Sequence, residues 1–232
     1  LAILPHFINI PDPGVAFDFT MHLGTVLAII LYFRRDLRLL LNFRTTYFAN
    51  MLLSLVATMV MVYLLKGVAK EHGRQMILIA ANLIIWGAFM WLADRFAQKV
   101  VPEKMKDRRQ WSKALIIGLS QALAIFPGVS RSGVTLGFAR LVGLSRLEAA
   151  RYSFLLSVPV ILGGGIYESW EMFHGAINFN LGLCLWGIVV SFAVGFITIH
   201  FFMEILGRIG LGIFFAYRLV LGLAVLYVYF WH

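Results

Sequence analysis

The residues best able to do chemistry in this chain stand together in Pro127-Gly128-Val129-Ser130-Arg131-Ser132-Gly133-Val134-Thr135. Arg131 offers a planar fork of hydrogen-bond donors, and the hydroxyls of Ser130, Ser132 and Thr135 add three more. Such a set suits the binding of a phosphate. Gly128 and Gly133 allow the backbone to bend and bring its own N–H groups to the ligand. The surroundings are apolar: residues 114–126 carry no charge, and the next charged residue after Arg131 is Arg140. An arginine deep in a bilayer costs roughly 2.5–3.5 kcal/mol on insertion scales, so it points to function by default. The alternative is that Arg131 only bonds carbonyls of its own turn.

The setting is a membrane. Hydrophobic residues make up 61% of the 232 and charged residues 13%, and mean hydropathy is +0.86. A soluble domain carries about 25% charged residues. The net charge of +9 would suit nucleic acid, but the basic residues fall in short segments between apolar runs, as positive-inside topology places them. No nucleic-acid partner is therefore expected. The single cysteine, Cys184, excludes an intramolecular disulfide and a cysteine-built metal site. No HExxH or P-loop pattern occurs. The first residues lack a charged n-region and a small-residue cleavage site, so they do not read as a signal peptide.

The elements that must position the cluster are membrane helices. Apolar runs predict helices at about 15–33, 47–65, 76–93, 150–167, 181–203 and 211–230, each near the ~20 residues that span a bilayer. The run 114–139 is broken by Pro127-Gly128 and reads as two half-helices meeting at a polar tip. Non-helical backbone at membrane depth requires cover by protein or water, and a re-entrant hairpin at about 114–142 meets that condition. Segments 34–46 and 94–113 are basic and are expected inside, and segment 168–180, with Glu168 and Glu171 and no Lys or Arg, outside. Loop 66–75, with Lys66, Lys70 and Arg74 against Glu71, then lies outside against the charge rule. Trp86, Trp91, Trp111, Trp170, Trp186 and Trp231 read mostly as interfacial anchors. Gly163-Gly164-Gly165 reads as a close-packing patch.

The nine-residue segment resembles the PGxSRSGxT signature of the undecaprenyl-diphosphatase family, the bacitracin-resistance phosphatases. Gln121-Ala122 upstream, Phe154-Leu155-Leu156-Ser157-Val158-Pro159 downstream, Tyr217-Arg218, and Phe17-Asp18-Phe19-Thr20-Met21-His22-Leu23-Gly24-Thr25 near the start agree with it. The resemblance implies an all-α polytopic membrane protein, an inverted-repeat helical bundle with re-entrant half-helix hairpins. It implies a phosphatase that converts undecaprenyl diphosphate to undecaprenyl phosphate and phosphate, recycling the lipid carrier for peptidoglycan synthesis and conferring bacitracin resistance. It further implies a bacterial inner-membrane location, an active site opening to the external face, and a divalent cation, Mg or Ca. Arg131 and Ser130 are the expected catalytic residues. Ser132, Thr135, Gly128, Gly133 and Gln121 are the expected substrate contacts.

Family members also carry an earlier motif with two glutamates, a Pro-Val-Ser-Ser segment and a histidine, and the sequence from Leu1 holds none of it. The expectation is a single transmembrane domain over 1–232, truncated at its N-terminus, lacking the first hairpin and showing little activity by itself. No metal ligands are assigned, and His6 and His22 do not follow that motif. Asp18 and His22 share a helix face at spacing four and read as a polar pair inside the bundle, with a metal or proton role as the alternative. Gln121 lines the pocket or bonds across helices. Arg218, alone in an apolar helix, needs a partner or an interface and reads as structural. His200 and Glu204 read as interfacial. A homodimer stays open. The competing class is a polyprenyl-phosphate flippase or other secondary anion transporter, since broken helices around a midplane anion site serve both.

Overall fold

The structure, a computed structural model, describes residues 14–40, 42–72, 75–97, 105, 110–174 and 181–231, with backbone only at 14–16, 18, 19, 39, 70–72, 165–174 and 181. The described residues form nine α-helices and no strand: α1 (Gly14–Tyr32), α2 (Arg34–Leu40), α3 (Thr46–His72), α4 (Met76–Ala97), α5 (Trp111–Gln121), α6 (Arg131–Leu141), α7 (Arg146–His174), α8 (Leu181–Arg208) and α9 (Gly212–Trp231). A short 3₁₀ turn, Ala122–Ile125, follows α5. Four segments are long and apolar enough to cross a membrane: Thr46–Ala69, Met76–Ala97, Gly182–Arg208 and Gly212–Trp231. Shorter apolar helices accompany them. The chain is an all-α polytopic membrane protein. Its lipid-facing character shows in exposed large side chains such as Val60, Leu64, Val194, Val220 and Phe230.

Two compact units share the chain. One comprises Leu1–Arg34 with Val158–Phe202, and the other Arg35–Ser157 with Met203–His232. In the first, α1 lies against α8 at Gly24, where a Cβ would come within 2.5 Å of the Ile188 carbonyl oxygen. The rings of Tyr32 and Phe196 meet edge-on at 5.7 Å.

The second unit holds the cluster at 127–135 and explains its position. Helices α5 and α6 have 11 residues each, about 16 Å of helix, too short for a hydrocarbon core of about 30 Å. Each runs beside a full-length helix. Along α5, the Ala114 carbonyl accepts from Ser54 Oγ (2.7 Å), and the Gly118 carbonyl accepts from Thr58 Oγ1 (2.8 Å). Both partners advance in step, so α5 is parallel to α3. A Cβ at Gly118 would stand 2.3 Å from the Ser54 carbonyl oxygen, so only glycine permits this approach. Along α6, Gly137 faces Phe89 and Met90, and Arg140 bonds Asp94 at 2.9 Å, so α6 is parallel to α4. With α3 and α4 consecutive, α5 and α6 form a hairpin whose two ends lie on one side. Its tip is held at Asn82, twelve residues or about 18 Å of helix from Asp94. The two half-helices read from the sequence are therefore present, with polar tie points on each leg.

Some expectations shift. The helices run longer than the apolar runs, because charged residues continue them: α7 begins at Arg146 and α8 ends at Arg208. Asp94, read as a loop residue, lies buried in the last turn of α4. Gly163 and Gly164 are exposed, and a Cβ at Gly164 would meet no atom within 4 Å, so close packing does not explain that glycine. Trp111 and Trp231 sit exposed at helix ends as anchors do. Trp86 and Trp91 lie within α4 against Phe89 and Phe215. Arg74 and His6 lie outside the described residues, and at Trp170, Glu168, Glu171, Gly165, Lys70, Glu71 and Asp18 only the backbone is described.

Candidate active site at the hairpin tip

The tip begins with a four-residue turn. Phe126 is extended, the Val129 N–H donates to the Phe126 carbonyl at 3.1 Å, and Gly128 has φ +85°. Proline second and a left-handed glycine third are what a type II turn requires. The turn is pinned to α4: Asn82 Nδ2 donates to the Pro127 carbonyl at 2.9 Å. A Cβ at Gly128 would lie 2.4 Å from the Ile79 carbonyl oxygen.

Ser130 then starts α6. Its backbone is extended, and its Oγ accepts the Gly133 N–H at 3.1 Å, the arrangement of a helix N-cap. The first N–H groups of a helix have no intrahelical acceptor, so those of Arg131 and Ser132 are available at the tip. The positive end of the helix dipole adds to their pull on an anion. Ser132 Oγ lies 3.4 Å from Ser130 Oγ. Among the described residues, the Arg131 guanidinium makes no hydrogen bond or ion pair, and the side chain is half-buried. The reading that it bonds carbonyls of its own turn finds no support in this geometry.

A second arginine arrives from α9. Arg218 is 7% exposed, and its Nη2 donates to the Gly128 carbonyl at 2.6 Å. Its Nε and Nη1 are buried with no acceptor among the described residues. Gly133 leaves room for this guanidinium, since a Cβ there would stand 3.0 Å from Nη1 and 3.2 Å from Ser130 Oγ. Sequence reading gave Arg218 a structural role, and the Gly128 bond is one. The idle donors are something more, because a buried donor without an acceptor costs about 1–3 kcal/mol. The signal available in the sequence was a lone arginine within an apolar helix.

The other expected residues divide. Ser130, Arg131, Ser132, Gly128 and Gly133 stand together at the tip. Thr135 is fully buried one turn down α6; its hydroxyl bonds the Arg131 carbonyl at 2.8 Å and meets Ser153 of α7 in a short contact. Gln121 is also buried, with Nε2 on Thr58 Oγ1 at 3.4 Å and Oε1 without a partner among the described residues. Thr135 thus ties α6 to α7, and Gln121 ties α5 to α3 while keeping one idle acceptor. His22, His200 and Glu204 are exposed, and Glu204 pairs with Arg208 at 2.8 Å.

The tip can bind an anion. The described carboxylates of the unit, Asp36, Asp94, Glu148 and Glu204, pair with arginines elsewhere, so among the described residues the two guanidiniums at the tip have no carboxylate. No group of three His, Cys, Asp or Glu able to hold a metal occurs among the described residues. The donor set at the tip consists of N–H groups and hydroxyls, which suit phosphate oxygens and do not fit a divalent cation.

With this geometry established, the relatives are informative. A family model described as bacitracin resistance protein BacA matches residues 1–224. The chain belongs to the BacA family. The undecaprenyl-diphosphatase of Alcanivorax borkumensis is 36% identical over 238 aligned residues, covering 97% of this chain and 89% of the relative. The undecaprenyl-diphosphatase of Desulforudis audaxviator is 38% identical over 238 aligned residues, covering 98% and 88%. The alignments cover 97% and 98% of this chain, and the family model residues 1–224, so the hairpin and the α9 arginine lie within the shared length.

Proposed function

We propose that this BacA-family chain is an undecaprenyl-diphosphate phosphatase whose diphosphate clamp is the hairpin tip. The observation that carries the reading is the arrival of Arg218 at the helix N-terminus that Arg131 opens, with two buried Arg218 donors unsatisfied among the described residues. The relatives' name supplies the substrate, and the tip supplies a matching anion site at membrane depth. Water adds to the terminal phosphorus, the bond to the bridging oxygen breaks, and undecaprenyl phosphate and inorganic phosphate result. Such transfers depend mainly on positioning and on stabilising charge on the equatorial oxygens. Arg131, with its unengaged fork, grips those oxygens. Arg218 Nε and Nη1 take a second set, and Ser130, Ser132 and the first α6 N–H groups complete the cradle. Ser130 Oγ accepts the Gly133 N–H and keeps its own proton to donate to phosphate. Gly128 and Gly133 hold the space, and Thr135 and Gln121 fix the legs.

A divalent cation remains an expectation from the family resemblance. The described residues offer it no ligand set, and no step above passes through it. The proposed location is the bacterial inner membrane. The tip opens away from the side where the hairpin enters; with basic segments 34–46 and 94–113 inside, that is the external face.

The test is phosphate release from undecaprenyl diphosphate by the purified protein, with Arg131→Ala and Arg218→Gln beside it. Loss of one such donor costs about 10²–10³ in rate, and each variant should lose that much in kcat/KM. Wild-type rates in both would remove the tip from catalysis. Movement of undecaprenyl phosphate across liposomes without phosphate release would make the chain a carrier.

A further inference from the structure

A second polar site lies on the side where the hairpin enters, about 18 Å along α4 from the tip. There a cavity of ≈ 290 Å³ is lined by Trp91, Asp94, Arg95, Arg146, Ile209 and Gly212. Its floor is a buried charge cluster. Asp94 takes Arg140 Nε at 2.9 Å and Arg146 Nη2 at 2.8 Å, and the Leu211 N–H at 3.3 Å. Two guanidiniums, those of Arg140 and Arg146, therefore share one carboxylate, and a third, that of Arg95, lines the same cavity. Arg95 has no anionic partner among the described residues; its one described contact is with the Trp91 ring, at 5.8 Å. The excess charge is open to the cavity, because Arg95 is exposed and the Arg146 side chain is 23% exposed. The segment between α4 and α5 does not neutralise it by composition, with five basic and two acidic residues over 98–110.

The location selects the ligand. Two membrane-crossing segments terminate at the cavity: Met76–Ala97 ends just beyond Arg95, and Gly212–Trp231 begins at the lining residue Gly212. The site is therefore at the bilayer interface. Beside it the surface is apolar and lipid-facing, with Ile209 64%, Phe96 70% and Ile213 49% exposed. Trp91 stacks on Phe215 with the planes 12° apart, giving the cavity a rigid aromatic wall. Uncompensated guanidiniums, an aromatic wall and flanking apolar surface at headgroup depth match one ligand chemistry. We propose that this cavity binds the phosphate headgroup of an anionic glycerophospholipid, with the acyl chains lying along Ile209 and Ile213. Basic pockets between membrane helices are suited to such headgroups. The site is separate from the tip and does not depend on the phosphatase reading.

The experiment is native mass spectrometry of the detergent-solubilised protein with phosphatidylglycerol, phosphatidylcholine or inorganic phosphate added. Phosphatidylglycerol should be retained several-fold over phosphatidylcholine. Arg95→Gln should lower its retention about five-fold, on the scale of one interfacial cation, and leave phosphate release from undecaprenyl diphosphate unchanged. Gly212→Leu, which fills the cavity without removing charge, should lower retention as well. Arg95 is exposed, so its variant keeps the test valid if Gly212→Leu fails to fold. Equal retention of the two lipids, or no effect of Arg95→Gln, overturns the proposal. Displacement of phosphatidylglycerol by inorganic phosphate at matching concentration also overturns it, since the site would then be one for free anions.

Discussion

Gly128→Ala tests the tip through its backbone, leaving every donor group in place. Gly128 has φ +85°, where an alanine costs roughly 1–2 kcal/mol from contact between its Cβ and its own carbonyl. The added methyl would also lie 2.4 Å from the Ile79 carbonyl oxygen and 3.0 Å from Asn82 Cβ. Both neighbours belong to α4, and the nearer is backbone, so the turn must move by close to an ångström. That movement disturbs two bonds, Asn82 Nδ2 to the Pro127 carbonyl and Arg218 Nη2 to the Gly128 carbonyl. At about 1 kcal/mol for the first and about 1.5–3 for the charge-assisted second, the summed loss of stability, backbone strain included, is about 3.5–6 kcal/mol if both break. A displacement of about 1 Å at a reacting centre can cost 10²-fold in rate. The expected result is therefore a clear drop in Tm in detergent and about a hundred-fold fall in kcat/KM for phosphate release. Gly67→Ala is the control: a Cβ there meets nothing within 4 Å, and replacing a mid-helix glycine stabilises by about 0.5–1 kcal/mol. Wild-type activity and Tm in Gly128→Ala would refute the pinned type II turn, and with it the account of how Arg131 and Arg218 are aimed.

Three further outcomes check other parts of the site. Thr135→Val removes the bonds to the Arg131 carbonyl and Ser153 and should cost about 1–3 kcal/mol while kcat/KM stays within a few-fold; a hundred-fold loss would place that hydroxyl on the substrate. Asp94→Asn leaves Arg140 and Arg146 without their carboxylate, and since the Arg146 side chain is 23% exposed, stability should fall by about 3 kcal/mol, the low end for a broken buried pair, read as a Tm shift. Gly118→Ala must push α5 off α3, because its Cβ would sit 2.3 Å from the Ser54 carbonyl oxygen; lower expression and Tm are expected, and a variant indistinguishable from wild type would refute the parallel α5–α3 contact.

Much of this was legible in residues 127–135. Pro127-Gly128 announced a turn because proline fixes φ and glycine alone tolerates the left-handed region. The uncharged run before it and the apolar stretch after it announced half-helices in lipid. Arg131 at that depth marked the segment as the candidate site, since the bilayer penalises an idle cation. Composition settled the class of the protein without any motif. Local sequence has no access to partners chosen across the fold. Arg218 stands 87 positions after Arg131, and only the packing of α9 on α4 brings it to the Gly128 carbonyl. Asp94 read as a loop acid until Arg140 and Arg146 closed over it. Thr135 looked equivalent to the serines by chemistry, yet helix periodicity and the approach of α7 turn its hydroxyl to Ser153. Spacing along the chain fixes which groups exist and which face of a helix they share; which of them meet is set by the long-range packing of helices, and that is what brings Arg218 to the Gly128 carbonyl.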